Sequence, residues 1–276
     1  MAHKLTDLSK LCIHTMTNKP WSLDECLKHY SAAGIGGISV WRNVLEGKNL
    51  IEAARNIQNS GLTPVSLVRG GFFTGKTRQE KSTAIDDNKR AIDEAQAIGS
   101  DLVVLVCGAT PGFTVKENLQ MIQDGIEAVI PHAQSAGVRL GIEPLHPMYA
   151  DTRSAVSSLK SANDLAERIN SPAVGVTIDV FHVWWEEYLQ EEISRCADLG
   201  KLFSFHICDW KTDMADMLND RGLMGDGIIN VEQIRGWVEE TGFTGFNEVE
   251  IFSSKYWSMD QKEFLNLIID KYLHNS

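Results

Sequence analysis

The chain has 276 residues, of which 43% are hydrophobic, and its formal net charge at pH 7 is −11. Such a surface repels phosphate backbones, which argues against a nucleic-acid-binding protein. No apolar stretch approaches the roughly 18 residues of a membrane span, and the first residues lack a signal-peptide core, so we expect no membrane association. The five cysteines are scattered and lie outside CxxC pairs, which predicts a reducing, cytoplasmic compartment and argues against a thiolate zinc site.

In chain order, eight short apolar runs alternate with segments of helical pattern. The first run is LCIHTM, and each later run follows a turn of glycine or other small residues at the end of a helix-like segment. Glycine suits the left-handed position after a helix's last turn, and short runs that are apolar throughout are typical of parallel strands buried on both faces. The seven later junctions are SAAGIGGISVW, NSGLTPVSLV, AIGSDLVVLV, SAGVRLGIEP, INSPAVGVTID, DLGKLFSFHI and TGFTGFNEVEI.

The segments between the apolar runs have the spacing of amphipathic helices. Ser22 and Glu25 form a capping-box pattern at the start of the first, and Gly99 ends an apolar stripe over residues 84–98. Pro131 lies inside a later helical segment, where we expect a kink or a break. Eight such units predict one domain, 1–276, folded as an α/β protein of the (β/α)8 TIM barrel type. A doubly wound open sheet is the alternative, although no G-x-G-x-x-G motif follows the first strand.

The fifth to eighth apolar runs end in polar residues that can bind a cation. These residues are Glu143, Asp179 and His206, followed by Glu248 or Glu250. In a TIM barrel the C-terminal ends of the strands meet at one mouth, where three carboxylates would repel one another and lose hydration. A divalent cation between them would remove both problems. An oxygen-rich set with one imidazole suits Mn²⁺, Mg²⁺ or Co²⁺ better than Zn²⁺ or Fe²⁺.

Each of these residues also has a purely structural interpretation. One acidic residue after a strand is commonly a helix cap or a salt-bridge partner, and only the set of four favours a metal site. Glu248 and Glu250 share a strand face, and we favour Glu250 as the ligand because it lies nearer the C-terminal end. Glu248 would then support the ligands or pair with a buried base. His14, on the first strand, is as readily a hydrogen-bonded core histidine as a site residue.

Five segments resemble the xylose-isomerase-like sugar isomerase/epimerase family of TIM barrels, and the resemblance covers nearly the whole chain. It implies that Glu143, Asp179, His206 and Glu250 bind the metal and that His182 and Arg221 contact substrate oxygens. The segments, which contain the ordered set E-P-L, D-x-x-H, H-x-x-D, R…G-x-G and E-x-F, are AGVRLGIEPLHP (136–147), VGVTIDVFH (174–182), FSFHICDW (203–210), RGLMGDGIIN (221–230) and GFNEVEIFS (245–253).

The resemblance implies proton transfer at a carbon next to a carbonyl, in a sugar, ketose or related polyol. Glu143 and Glu250 would act as base and acid through an enediolate, as an isomerase or epimerase. A dehydratase of a keto-polyol would use the same site but expel a hydroxyl group. A metal-dependent endonuclease and a non-catalytic sugar-binding protein are less favoured alternatives. The sequence leaves the oligomeric state open and is compatible with a homo-oligomer.

Residues near the ends of the early strands, and tryptophans after the sixth, are candidates for the substrate pocket. Trp41 and Trp184 could pack against sugar C–H surfaces, and helix packing is the alternative. Many relatives have an acidic residue where this chain has Trp41 and Arg42, which warns against transferring a substrate. Arg69 could bind a phosphate or a carboxylate. Without a second clear basic partner, the sequence slightly favours a non-phosphorylated substrate.

Overall fold

Eight parallel strands form a closed barrel in sequence order, with β8 pairing back onto β1. A computed structural model describes residues 2–276 of the chain. This topology confirms the predicted (β/α)8 barrel and excludes the doubly wound sheet, which would leave two open edges. The strands are β1 (Leu11–His14), β2 (Gly37–Trp41), β3 (Thr63–Gly71), β4 (Leu102–Val106), β5 (Arg139–Glu143), β6 (Val174–Asp179), β7 (Leu202–Ile207) and β8 (Asn247–Val249).

The helices largely follow the sequence pattern. The capping box of Ser22 and Glu25 is present at the start of the first helix. Gly61, Gly99 and Gly137 each adopt the predicted left-handed conformation after a helix, with φ of 76°, 81° and 68°. The α-helices are α1 (Leu23–Ala32), α2 (Leu50–Ser60), α3 (Arg78–Ile98), α4 (Val115–Ala136), α5 (Leu159–Ile169), α6 (Val180–Val183), α7 (Leu189–Asp198), α8 (Val231–Glu240), α9 (Ser254–Trp257) and α10 (Gln261–Asn275).

The expected break at Pro131 is wrong, because α4 runs through it without interruption. Pro131 is exposed, so water can hydrate the carbonyl that loses its amide partner. Val129 and Ala133 on either side are fully buried and hold both halves of the helix against the barrel. Packing therefore outweighs the local cost of proline here.

The strand register brings the predicted polar residues to the same depth of the barrel. Asp179 pairs with His206, and His206 pairs with Glu248 on the next strand. Glu250 follows β8 directly and lies two residues nearer the mouth than Glu248. Among residues 2–276, no helix combines the length and apolarity needed to cross a membrane. The five cysteines are all free and buried, in agreement with the absence of a disulfide framework.

Candidate metal centre and active-site cavity

The four predicted ligands converge at the mouth of the barrel. Glu143, Asp179, His206 and Glu250 each offer one ligand atom, and these atoms all lie within 4.8 Å of one another. Oε1 of Glu143 is 3.2 Å from Nδ1 of His206, and Oε2 of Glu250 is 3.8 Å from the same nitrogen. Glu143 Oε1 and His206 Nδ1 are buried without a hydrogen-bond partner in the described chain. A buried oxygen and a buried nitrogen that lack hydrogen-bond partners can both act as ligands of a cation bound between them.

The electrostatics of the cluster show a shortage of positive charge. Burial raises the pKa of Glu143 and of Asp179, and repulsion from Glu250 adds to both shifts. Burial also opposes the charge of Glu250, but His14 and Arg221 hold the pKa of that carboxyl well below its usual range. Buried carboxylates this close repel one another, and a divalent cation between them would relieve that repulsion.

Asp179 ends β6 and also caps the short helix α6. Its Oδ1 accepts a hydrogen bond from the Phe181 amide at 2.9 Å, and its Oδ2 accepts one from Nη1 of Arg221 at 2.9 Å. The structural interpretation as a helix cap is therefore confirmed for this residue. It does not remove Asp179 from the cluster, since the carboxylate stays within ligand distance of the other three residues.

Arg221 reaches into the cluster from the loop after β7. Its Nη1 also donates to Oε2 of Glu250 at 3.0 Å, and its guanidinium lies 4.3 Å from the centre of the Phe181 ring. Its Nη2 lies 3.2 Å from Nε2 of His182. Burial, reinforced by Arg221, lowers the pKa of His182 well below its usual range, so this imidazole is neutral. Arg221 and His182 thus adjoin the predicted ligands, and their contact with substrate oxygens stays a prediction.

One carboxylate anchors the loop that carries Arg221. Asp209 accepts hydrogen bonds from four backbone amides of the polar, glycine-rich stretch 210–230, which holds this stretch near the mouth. A Cβ atom at Gly227 would lie 2.0 Å from the Trp210 carbonyl oxygen, so only glycine allows this close approach. The four donors are Trp210 at 2.7 Å, Gly225 at 3.0 Å, Gly227 at 2.7 Å and Ile229 at 2.9 Å.

Glu248 lies two residues before Glu250 on the same strand face, further from the mouth than Glu250. Ser39 donates a hydrogen bond to it at 2.6 Å, and Ser204 donates another. Its Oε2 is 3.3 Å from Nε2 of His14 and 3.7 Å from Nε2 of His206. Despite burial, these imidazoles lower the pKa of Glu248 to about 2. The residue is an ionised carboxylate beneath the cluster, paired with buried bases as one of the two sequence interpretations proposed.

His14 links the deep carboxylate to the predicted ligands. Its Nδ1 is 3.2 Å from Oε1 of Glu250 and accepts a hydrogen bond from Nε1 of Trp41 at 3.1 Å. The sequence did not decide whether His14 is a core histidine or a site residue. The structure places it in contact with both Glu248 and Glu250. The signal that could have favoured the site was its position at the last residue of β1, level with the mouth.

A narrow cavity opens above the cluster. Of the predicted substrate residues, Trp41, Arg69, His182 and Arg221 line it together with Glu143 and Glu250. Trp184 is not among the residues that line this cavity, and its ring packs against Trp210 with centroids 5.5 Å apart. Arg42 forms ion pairs with Asp87 and Glu94 instead of entering the cavity. Tyr149 and Arg153 line the cavity and were missed, because the first ends the short 3-10 helix Pro147–Tyr149 and the second lies in the turn after it, away from any strand end.

The barrel and the ligand cluster at its mouth define a TIM-barrel protein with the geometry of a metal site. The chain belongs to the xylose isomerase-like TIM barrel family, whose model matches residues 27–268. It is 41% identical to protein SMc04130 from Sinorhizobium meliloti 1021, with a TM-score of 0.94 over 98% of this chain and 99% of that one.

Two more distant relatives are named for an activity or a bound ion. The inosose isomerase of Halalkalibacterium halodurans is 23% identical over 271 residues, which are 95% of this chain and 94% of that protein. A crystal structure of the IOLI protein with a bound zinc atom is 21% identical, with a TM-score of 0.83 over 96% of each chain. The similarity to the IOLI structure shows that the two chains share a fold.

Proposed function

We propose that this protein is a divalent-metal-dependent isomerase or epimerase of a sugar, ketose or related polyol. The observation that carries the proposal is the convergence of three carboxylates and one imidazole, with Glu143 Oε1 and His206 Nδ1 buried and unpartnered. The family, the inosose isomerase relative and the zinc in the IOLI protein support it. The oxygen-rich ligand set favours Mn²⁺, Mg²⁺ or Co²⁺, and the zinc of the IOLI protein makes Zn²⁺ a further candidate.

Glu143, Asp179, His206 and Glu250 would hold the ion. When bound, a divalent ion supplies Lewis-acid stabilisation of a carbonyl oxygen and of the charge that develops as a neighbouring C–H bond loses its proton. Glu143 and Glu250 would form the acid and base pair, and Glu250, whose pKa is held low, stays ionised before the reaction. Glu143, whose pKa is raised by burial, is suited to carry the proton that is returned.

The remaining cavity residues would bind and orient the substrate. Neutral His182 and cationic Arg221 present polar atoms at the cluster, where they can contact substrate oxygens. Trp41 is fixed by its hydrogen bond to His14 and offers a flat apolar wall for C–H surfaces. Nearly complete burial of the cluster excludes water from a carbanion-like centre.

Solvent isotope exchange tests this proposal. Protein loaded with Mn²⁺ is incubated in D₂O with ketoses and with keto-inositols, and the chelated protein serves as the control. We expect deuterium at the carbon next to the carbonyl, only in the loaded sample and without loss of water. Release of water would make the protein a dehydratase, and cleavage of abasic-site DNA would make it an endonuclease; either result contradicts the proposal.

A further inference from the structure

Two arginines line the active-site cavity and form no ion pair with any carboxylate of residues 2–276. Arg69 lies on β3 and Arg153 in the loop after β5, and both border the cavity that contains Glu143 and Glu250. Nη1 of Arg69 is buried and has no hydrogen-bond partner in the described chain. Burial lowers the pKa of Arg69 and repulsion from Arg153 lowers it further, while attraction to Glu143 opposes both, so the two guanidinium groups lie close enough to interact. Arg69 is half-buried, and a buried N–H group without a hydrogen-bond partner costs free energy that a bound ligand would recover.

The other arginines of comparable burial are all paired. In residues 2–276, each remaining arginine that is buried or half-buried bonds to at least one carboxylate. These ion pairs are Arg42 with Asp87 and Glu94, Arg139 with Asp101, Arg195 with Asp164, Glu167 and Glu192, Arg221 with Asp179 and Glu250, and Arg235 with Glu239. Since the chain carries a net charge of −11, unpaired arginines in its cavity do not reflect a lack of carboxylates.

An aromatic ring packs against the face of each guanidinium group and holds it in place. Arg69 lies 4.4 Å from the centre of the Phe72 ring, and Arg153 lies 5.8 Å from that of Tyr149. Phe72 adopts a left-handed φ of 53°, which is rare for an aromatic residue and recurs at ligand-binding sites. Stacking on a ring leaves the N–H edges of a guanidinium free to donate.

One glycine joins the two segments that carry the arginines. The amide of Gly108 donates to the Arg153 carbonyl at 2.8 Å. A Cβ atom on Gly108 would lie 2.9 Å from the Cα of Phe72, so the loop after β4 also packs directly against the end of β3. Arg69 and Arg153 therefore belong to one connected substructure at the rim of the cavity.

The charge balance of the cavity points in the same direction. Arg221 and a divalent ion would together offset most of the charge of the four buried carboxylates, Glu143, Asp179, Glu248 and Glu250. Two further guanidinium groups leave the cavity with a net positive charge when the imidazoles are neutral. We propose that Arg69 and Arg153 form an anion subsite, and that the substrate is a sugar or polyol bearing a carboxylate or a phosphate group. This inference rests on the proposed function and supplies, in Arg153, the second basic partner for Arg69 that the sequence lacked.

Calorimetric binding to the Mn²⁺-loaded protein tests the subsite directly. The probes are inorganic phosphate, propionate and, as the neutral control, glycerol. We expect one of the two anions to bind with one-to-one stoichiometry, and its identity distinguishes a phosphate from a carboxylate substrate. Because a charge-assisted hydrogen bond is lost, Arg69→Gln and Arg153→Gln should each weaken binding about tenfold to a hundredfold. Arg69→Lys should recover part of the affinity.

Arg168→Gln is the matched control, since Arg168 is exposed on α5 and should bind the anion as the wild type does. Thermal unfolding and Mn²⁺ binding of each variant verify that the fold and the cluster are retained. Failure of both anions to bind overturns the proposal, as does equal binding by wild type, Arg69→Gln and Arg153→Gln, which would place the anion on the metal.

Isotope exchange separates this inference from the proposed function. Anion binding that depends on both arginines, without deuterium exchange in any ketose, keeps the subsite and contradicts the isomerase. Exchange in neutral ketoses without anion binding keeps the isomerase and contradicts the subsite. If both proposals hold, Arg69→Gln raises KM for an anionic ketose about tenfold or more, and by a larger factor than KM for its neutral counterpart.

Discussion

The carboxylate of Glu248 and the imidazole of His206 pair on adjacent strands, with Oε2 3.7 Å from Nε2. The other ring nitrogen, Nδ1, faces Glu143 at 3.2 Å. A carboxylate on one ring nitrogen fixes the orientation of an imidazole and leaves the other nitrogen available as a ligand. The same oxygen of Glu248 lies 3.3 Å from Nε2 of His14, so the charge of one deep carboxylate acts on two imidazoles.

Glu248→Gln should weaken metal binding about tenfold to a hundredfold. The amide keeps an oxygen for the hydroxyl of Ser39 or Ser204 but loses the charge that holds the two imidazoles. Titration calorimetry with Mn²⁺ measures the effect, and Glu263→Gln, an exposed change on α10, is the matched control. Unchanged affinity in Glu248→Gln would show that this carboxylate only fills the core.

Glu143→Gln should abolish deuterium exchange into the substrate. The amide occupies the same volume but cannot carry the proton, and loss of a general acid or base typically costs about 10²–10⁴ in rate. The isotope assay measures the rate, and equilibrium dialysis verifies that Mn²⁺ is still bound by the remaining ligands. A Glu143→Gln variant with an undiminished rate of deuterium exchange would contradict the role assigned to Glu143.

Arg221→Gln should destabilise the metal-free protein far more than the loaded one. Without the guanidinium, Asp179 and Glu250 remain as buried, unpaired carboxylates, and breaking such a pair costs about 3–5 kcal/mol. A bound divalent ion would offset part of this cost. Thermal denaturation with chelator and with Mn²⁺ gives the two values, with Arg168→Gln as the control. Equal losses in both conditions would contradict a metal at these carboxylates.

Glu186→Gln should stabilise the protein above neutral pH. The Glu186 carboxyl accepts a hydrogen bond from the Leu159 amide at 2.6 Å, and burial raises its pKa from 4.5 to about 7. Between these values the folded protein binds more protons than the unfolded chain, so the stability contributed by this group falls as pH rises. The side chain is partly exposed, so we expect an advantage of about 1–2 kcal/mol at pH 8.

The difference in unfolding free energy between Glu186→Gln and wild type should shrink towards pH 4.5, where the Glu186 carboxyl of the folded wild type is protonated and therefore neutral, like the glutamine. Urea unfolding at several pH values measures it, with Glu263→Gln as a control that stays parallel to wild type. A pH-independent difference would show that the Glu186 carboxyl does not titrate with the expected shift.

The sequence predicted the ligand cluster because strand periodicity and barrel topology fix where a strand's last residues lie. Asp179 and His206 follow from that rule alone. Arg153 does not, since it lies in an irregular loop whose path depends on contacts with Gly108 and Tyr149. The break expected at Pro131 failed for a related reason, because local propensity ignores the buried neighbours that keep α4 continuous.

Arg221 gives the two carboxylates it contacts a positive partner that belongs to the chain itself. Small zinc domains, by contrast, fold around their ion and unravel without it. Because Arg221 already pairs with Asp179 and Glu250, we expect the barrel to fold before the ion binds and to bind the ion afterwards. Removal of the metal with a chelator should then leave a folded, inactive protein that can be reconstituted by adding metal.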